Sequence, residues 1–302
     1  MADGRLGCAV LSVGSPPTLI GAVRSLLEQE PTPEVVVVNS GGGDARAMLG
    51  EADLDVPVVE CSKRLLPGGA RNRGIAALSS PYIAFLAEDC RAEPGWAAGR
   101  LRAHTAGAPT VASVMTNATP GSRAALAAYL LLHHRRMPDT PPKERLLYGL
   151  SYDRAIFDRV GLFREDLRAG EDTELAARLG DAFRPVLARE VRTGHLNPAS
   201  VRELVRDQFA RGARAARVRG QVPGLRRLRW ALAHALLNVP AAMVQTVRTR
   251  DHPERRRLVG AWPLLPLGSL AYTAGALKVL LAGRSRIRAL GVPAATSPRA
   301  RR

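Results

Sequence analysis

Two pairs of neighbouring carboxylates, Glu88-Asp89 and Glu171-Asp172, carry the residue types from which a site could be built. The first pair ends the run Tyr82-Ile83-Ala84-Phe85-Leu86-Ala87, whose apolar and β-prone residues predict a short buried strand. Carboxylates at the carboxyl end of a parallel strand face the crevice where open α/β sheets bind ligands. Their oxygens suit a hard cation such as Mg²⁺ or Mn²⁺. Two adjacent acids also fit a plain solvated loop. The second pair follows Gly170 and opens a helix carrying Leu175 and Leu179 four residues apart. Acids in a first helical turn are stabilised by the helix dipole, so the pair reads as a charge-capped helix start. A functional reading requires Asp172 to face the first pair, which spacing alone does not establish.

The elements that must position these acids alternate in type. Leu6 to Val13, Val35 to Val38, Val56 to Val59, Tyr82 to Leu86 and Thr110 to Val114 read as strands. Helical stretches around Leu19 to Glu28, Arg71 to Leu78 and Pro94 to His104 separate them. This alternation predicts an α/β fold with a mostly parallel sheet flanked by helices. Residues 121 to 137 read as an Ala- and Leu-rich helix, broken by Pro138 to Pro142, that serves as a lid, an acceptor platform or a packing helix.

The ordered set of motifs across roughly residues 6 to 215 resembles the family 2 glycosyltransferases of GT-A fold. The resemblance rests on Glu34 to Gly41, on Pro67-Gly68-Gly69-Ala70-Arg71-Asn72-Arg73-Gly74, on the acidic strand end, and on Gly170-Glu171-Asp172 with Arg178 six residues on. It implies an inverting transfer of a sugar from a nucleoside-diphosphate donor, UDP favoured, to a hydroxyl acceptor, with Mn²⁺ or Mg²⁺ as cofactor. Polysaccharide or cell-wall biosynthesis is the implied setting. Asp172 is then the base and Glu171 its neighbour orienting the acceptor. Val13, Asn39, Arg71 and Glu88 are the implied nucleotide-sugar contacts, Asp89 and His195 the metal ligands. His195, in Thr193-Gly194-His195, is expected after an edge strand. Arg178, Gln208 and Arg211 support the acceptor or product side, with Arg178 as a structural partner of the acids.

Three departures from the family pattern stand out. Asn39 replaces a usual Asp, so its charge is gone while its hydrogen bonds remain. Ala87 replaces the first Asp of an Asp-x-Asp strand end, leaving open a catalytically weak or inactive relative. Gly212 stands where processive members have Trp, which removes support for polymer synthesis. Arg71 itself reads equally as a phosphate fork and as half of a structural ion pair.

Composition divides the chain. Residues 1 to 200 carry 23 basic and 23 acidic side chains, whereas 201 to 302 carry 21 and 4, so the whole +17 excess lies in the last third. We therefore separate a domain of residues 1–215 from an Arg-rich helical tail of residues 216–302. A polar helix over Pro198 to Arg219 leads into two apolar runs, Leu228 to Val247 and Leu258 to Ala282. Prolines and polar residues inside them, and five arginines between Arg248 and Arg257, disfavour two membrane spans. The expectation is an interfacial hairpin on an anionic surface at the cytoplasmic face of the membrane; a helical subdomain packed on the sheet is the alternative. Few aromatics punctuate the tail, so no nucleic-acid partner is expected. Three cysteines without paired spacing indicate neither a disulfide framework nor a zinc site. A dinucleotide-binding oxidoreductase is disfavoured because Val13-Gly14-Ser15-Pro16-Pro17 has one Gly where Gly-x-Gly-x-x-Gly is required. A sugar nucleotidyltransferase is disfavoured because no basic residue lies between Arg5 and Arg24.

Overall fold

A computed structural model describes residues 4–140, 148–180, 185–218, 224–249 and 255–289. Its centre is one eight-stranded sheet in the order β3-β2-β1-β4-β7-β6-β8-β5. β1 (Leu6–Val13), β2 (Glu34–Ser40), β3 (Val58–Cys61) and β4 (Tyr82–Ala87) run parallel. Between them lie α1 (Thr18–Leu27), α2 (Ala45–Glu51) and α3 (Pro67–Ala77). The runs in β1, β2 and β4 are apolar on both faces, as strands covered on both sides require. Alternate residues of β1 point to opposite layers. Cys8 and Val10 pack with Leu19, Val23 and Trp96 of the layer formed by α1 and α4 (Trp96–Thr105). Ala9 packs with Ile75 of α3, Phe157 of α6 (Ala155–Val160) and Leu175 of α7 (Glu171–Leu179). A Cβ on Gly74 would collide with that of Ala9, so the glycine lets α3 settle onto β1.

The second half of the sheet is mixed. β5 (Cys90–Ala92) runs antiparallel to β8 (Val186–His195), β6 (Thr110–Asn117) runs parallel to β8, and β7 (Tyr148–Asp153) lies antiparallel between β4 and β6. His195 therefore ends a strand held on both sides, by β6 and β5, and not the edge strand expected from sequence.

A separate core joins α5 (Arg123–His133) to α8 (Val201–Val218), α9 (Gly224–Arg248), α10 (Arg255–Gly260) and α11 (Leu264–Ala289) through Leu126, Leu130, Leu204, Ala242, Leu258 and Leu265. The 215/216 division cuts through α8, and the described tail helices pack against α5. A Cβ on Gly212 would strike the Tyr272 carbonyl, and one on Gly275 the Phe209 carbonyl. No side chain fits at Gly212 because α8 and α11 touch backbone to backbone there. Of the described helices, one stretch, Leu264–Ala282, is long and apolar enough to cross a membrane, and 33% of it is buried in this packing. The expected break at Pro138 to Pro142, the end of the polar helix at Arg219 and the arginine loop to Arg257 fall partly outside the described residues.

Candidate active site

The turn from β4 into β5 fixes the first acids. The Glu88 backbone N–H donates to Leu11 O, and the Glu88 carboxylate accepts from Val13 N–H at 2.7 Å. Glu88 and Val13, both expected at the donor, bind each other and tie the β1 and β4 ends together. Asp89 accepts Leu196 N–H on its carbonyl, and the register Cys90↔His195 brings its side chain to His195. Asp89 Oδ2 lies 3.5 Å from His195 Nε2.

What surrounds His195 decides its chemistry. Asn197 Nδ2 donates to Asn117 Oδ1 at 2.8 Å and to the His195 carbonyl at 3.0 Å, so its Oδ1 is the atom 3.0 Å from His195 Nδ1. The proton therefore sits on Nδ1. The ring is buried, which holds its pKa below the usual histidine value, with Asp89 opposing. A neutral Nε2 lone pair thus faces a carboxylate oxygen. Two acceptors at that separation can share a cation, and a buried histidine oriented through its other nitrogen is the usual form of a metal ligand. The residues present therefore fit Mn²⁺ or Mg²⁺. Among the described residues no cluster of three or more His, Cys, Asp or Glu forms a complete cage.

The second pair is arranged in the opposite way. Gly170 adopts φ +87°, a left-handed conformation that glycine takes without strain, and starts α7 at Glu171. Arg71 Nη1 lies 2.6 Å from Glu171 Oε1 and 2.8 Å from Asp172 Oδ1, and Nη2 lies 3.2 Å from Asp172 Oδ2. Its guanidinium sits 5.1 Å from the Phe163 ring centroid and 5.5 Å from that of Phe85. Asn72 secures the same loop, donating to Phe163 O and Glu165 Oε1 at 2.9 Å each and accepting from Phe163 N–H. In this state Arg71 is the ion-pair partner of the acids. Glu171 is buried, whereas the Asp172 side chain is 46% exposed. Desolvation foremost, then Glu171, pushes the Asp172 pKa above its ordinary value, and Arg71 opposes the shift.

Two cavities adjoin these stations. An open cleft of about 1010 Å³ is lined by Asp89, His195, Gln208, Arg211 and Arg214 together with Leu131 and Leu237. A smaller one of about 90 Å³ is lined by Arg71, Asp172, Tyr152, Phe85 and Leu11. Ala87 lines both, so the stations meet at the residue that lacks the expected carboxylate.

Other sequence-predicted residues lie elsewhere or are already engaged. Asn39 is fully buried; its amide donates to Glu60 Oε2 at 2.7 Å and Gly42 O at 3.0 Å and accepts from Ser15 N–H at 3.2 Å. It ties the loop after β1 to the loop after β2 and to Glu60 of β3. Arg178 pairs with Glu174 and the carbonyls of Val160, Gly161 and Leu162, not with Glu171 or Asp172. Gln208 and Arg211 do reach the cleft, Arg211 bound to Asp207 at 2.6 Å. Sequence reasoning missed Asn197, two residues beyond His195, and Tyr152, whose strand lacked a clear apolar signal.

Residues 10–154 match the family model described as Glycosyl transferase family 2. The succinoglycan biosynthesis protein ExoO of Rhizobium meliloti is 32% identical over 186 residues, 56% of this chain and 53% of that protein. The pre-mycofactocin glycosyltransferase of Mycobacterium tuberculosis is 31% identical over 165 residues, 49% of this chain and 34% of its length. The chain thus spans about half or less of these curated relatives. The mannosyltransferase PcManGT from Pyrobaculum calidifontis, solved with GDP-Man and Mn²⁺, aligns at TM-score 0.55 and 16% identity over 92% of this chain and 87% of its own, a likeness of fold.

Proposed function

We propose, for a chain whose residues 10–154 belong to glycosyl transferase family 2, that it moves a sugar from a nucleoside-diphosphate donor to a hydroxyl acceptor with inversion at the anomeric carbon. The observation that carries this reading is the neutral His195 facing Asp89 beside the Asp172 station. Asp89 and His195 Nε2 would hold Mn²⁺ or Mg²⁺, with the donor phosphates and water completing its shell. When bound, the ion supplies positive charge to the departing diphosphate. The arginines along the cleft add to that field.

The chain's own residues do the rest. Asp172 takes the proton from the acceptor hydroxyl as its oxygen attacks the anomeric carbon opposite the leaving diphosphate, which inverts the centre. Its raised pKa makes it a stronger base than an ordinary carboxylate. Arg71 keeps the carboxylate in place, and Glu171 anchors Arg71. UDP is the favoured donor nucleotide; the neighbour solved with GDP-Man keeps GDP open.

The acceptor would approach from the tail side. There Leu236, Leu237, Val244 and Leu270 are exposed, close in sequence to the exposed Arg255, Arg256 and Arg257. Apolar side chains flanked by arginines suit the anionic cytoplasmic leaflet, so the acceptor is membrane-proximal or lipid-linked. Nucleoside-diphosphate release from UDP- and GDP-sugars, with and without Mn²⁺, tests the assignment. Mn²⁺-dependent release with one nucleotide supports it; release unaffected by chelation refutes the metal role.

A further inference from the structure

A third cavity, sharing no described lining residue with the two at the acidic stations, gathers positive charge. Leu258 of α10 and Leu126 of α5 are buried in the same apolar core, and that packing sets α10 against the start of α5. Arg256 and Arg257, the residues before Leu258, therefore meet Arg123, the first residue of α5. The Arg123 Nε lies 4.0 Å from the Cβ position of Gly260, so the Arg123 side chain extends over the end of α10. The three arginines line a cavity of about 370 Å³, within the range of small-molecule sites, roughly 300–1,000 Å³.

Its walls leave the guanidinium groups as the donors for a ligand. Asn117 donates to Thr119 O and accepts from Asn197 Nδ2, while Ser122 donates to Ala199 O and accepts from Ala125 N–H. None of the described lining residues is acidic. Neither Arg123 nor Arg256 has an ion-pair partner among the described residues. Arginines scattered over a surface turn apart into water, but three held around one hollow repel each other, and an anion between them offsets that repulsion. All three are exposed, so a solute or a headgroup reaches them.

We propose that Arg123, Arg256 and Arg257 form a binding site for a phosphomonoester, presented by an anionic lipid headgroup or by a soluble ester. Such a group carries about −1.5 to −2 charge at pH 7 and three strong acceptor oxygens. The planar guanidinium fork binds phosphate oxygens in pairs, which a point charge does not. The N-terminal end of α5, capped by Ser122 in the cavity wall, adds the positive end of its dipole. The site stands apart from sugar transfer and does not depend on Asp172 being the base.

Calorimetric titration of the full-length protein with glycerol 3-phosphate tests the site. Arg123→Gln and Arg256→Gln should each weaken binding by about tenfold. Arg255→Gln, which removes the same charge outside the cavity, should change it by less than about twofold. Absence of binding by the wild-type protein, binding unaffected by Arg123→Gln and Arg256→Gln, or equal loss in all three variants overturns the proposal, the last because it reports only a general positive field. Sedimentation with phosphatidylcholine vesicles containing phosphatidic acid separates the two sources. Vesicle binding lowered in Arg123→Gln but not in Arg255→Gln supports the lipid headgroup. Vesicle binding equal in those two variants, with the selective loss for glycerol 3-phosphate retained, supports the soluble ester. Neither readout uses sugar transfer, so the site stands or falls separately from the transferase reading.

Discussion

The two acidic stations balance their charge in opposite ways, although both lie at the carboxyl edge of one sheet. At α7 the protein supplies its own cation: Arg71 binds both acids and is itself held over Phe85 and Phe163. At the β4–β5 turn no described arginine or lysine pairs with Asp89, which faces a histidine whose pKa burial holds below its usual value while Asn197 fixes the ring. A station that is held by its own cation is set in place before ligands arrive, which suits a base. One that is left incomplete would, on the proposed mechanism, gain its cation with the substrate. Ala87 lies between them, and a second carboxylate there would add negative charge to both.

Removing the proposed base should give the largest effect. Asp172→Asn keeps the shape but not the charge, and kcat should fall by about 10²- to 10⁴-fold, with nucleotide binding unchanged by calorimetry. Comparable loss of nucleotide binding would show that the stations are not separable. Next in size is the incomplete station. Asn197→Ala frees the His195 ring and its tautomer, and apparent Mn²⁺ affinity in the presence of UDP should weaken by about 10- to 100-fold. The Asp172 station should be indifferent to that change, which a preserved Asp172 titration would verify.

The pH dependence follows from the sign of the Asp172 shift. Its pKa in the folded protein is raised, so on the proposed mechanism the ionised base is lost as pH falls through a value above that of an ordinary aspartate. A kcat profile whose acid limb lies at the ordinary aspartate value would contradict the upward shift at Asp172. Arg178→Lys should give the smallest effect. Its contacts are with Glu174 and the 160–162 carbonyls, so thermal stability should drop slightly while kcat stays within about twofold.

The contrast between stations also marks what the sequence could reveal. β1, β2 and β4 were readable because unbroken apolar runs are what doubly covered strands require. β5 is three residues long, and β8 mixes Arg189, Glu190 and Arg192 into its run, so neither carries a clean period. Local spacing placed Asp172 at a helix start. It could not place Arg71 against it from a hundred residues away. Asn39 is the more instructive case: the resemblance put this position at the nucleotide, yet its amide donates to Glu60. An Asp there would set two carboxylates against each other, so the change to Asn is bound to a residue 21 positions on that pattern reading does not connect. Gly212 is similar, since its reason is a helix crossing with α11.

The most direct test of the account is Mn²⁺ binding, followed by electron paramagnetic resonance of the free ion, with and without UDP, in the wild-type protein and in His195→Ala. The account predicts weak binding of Mn²⁺ alone, much tighter binding with UDP, and loss of that gain in His195→Ala. Equal Mn²⁺ binding by the two proteins in the presence of UDP would contradict the claim that Asp89 and His195 form the station completed by a cation.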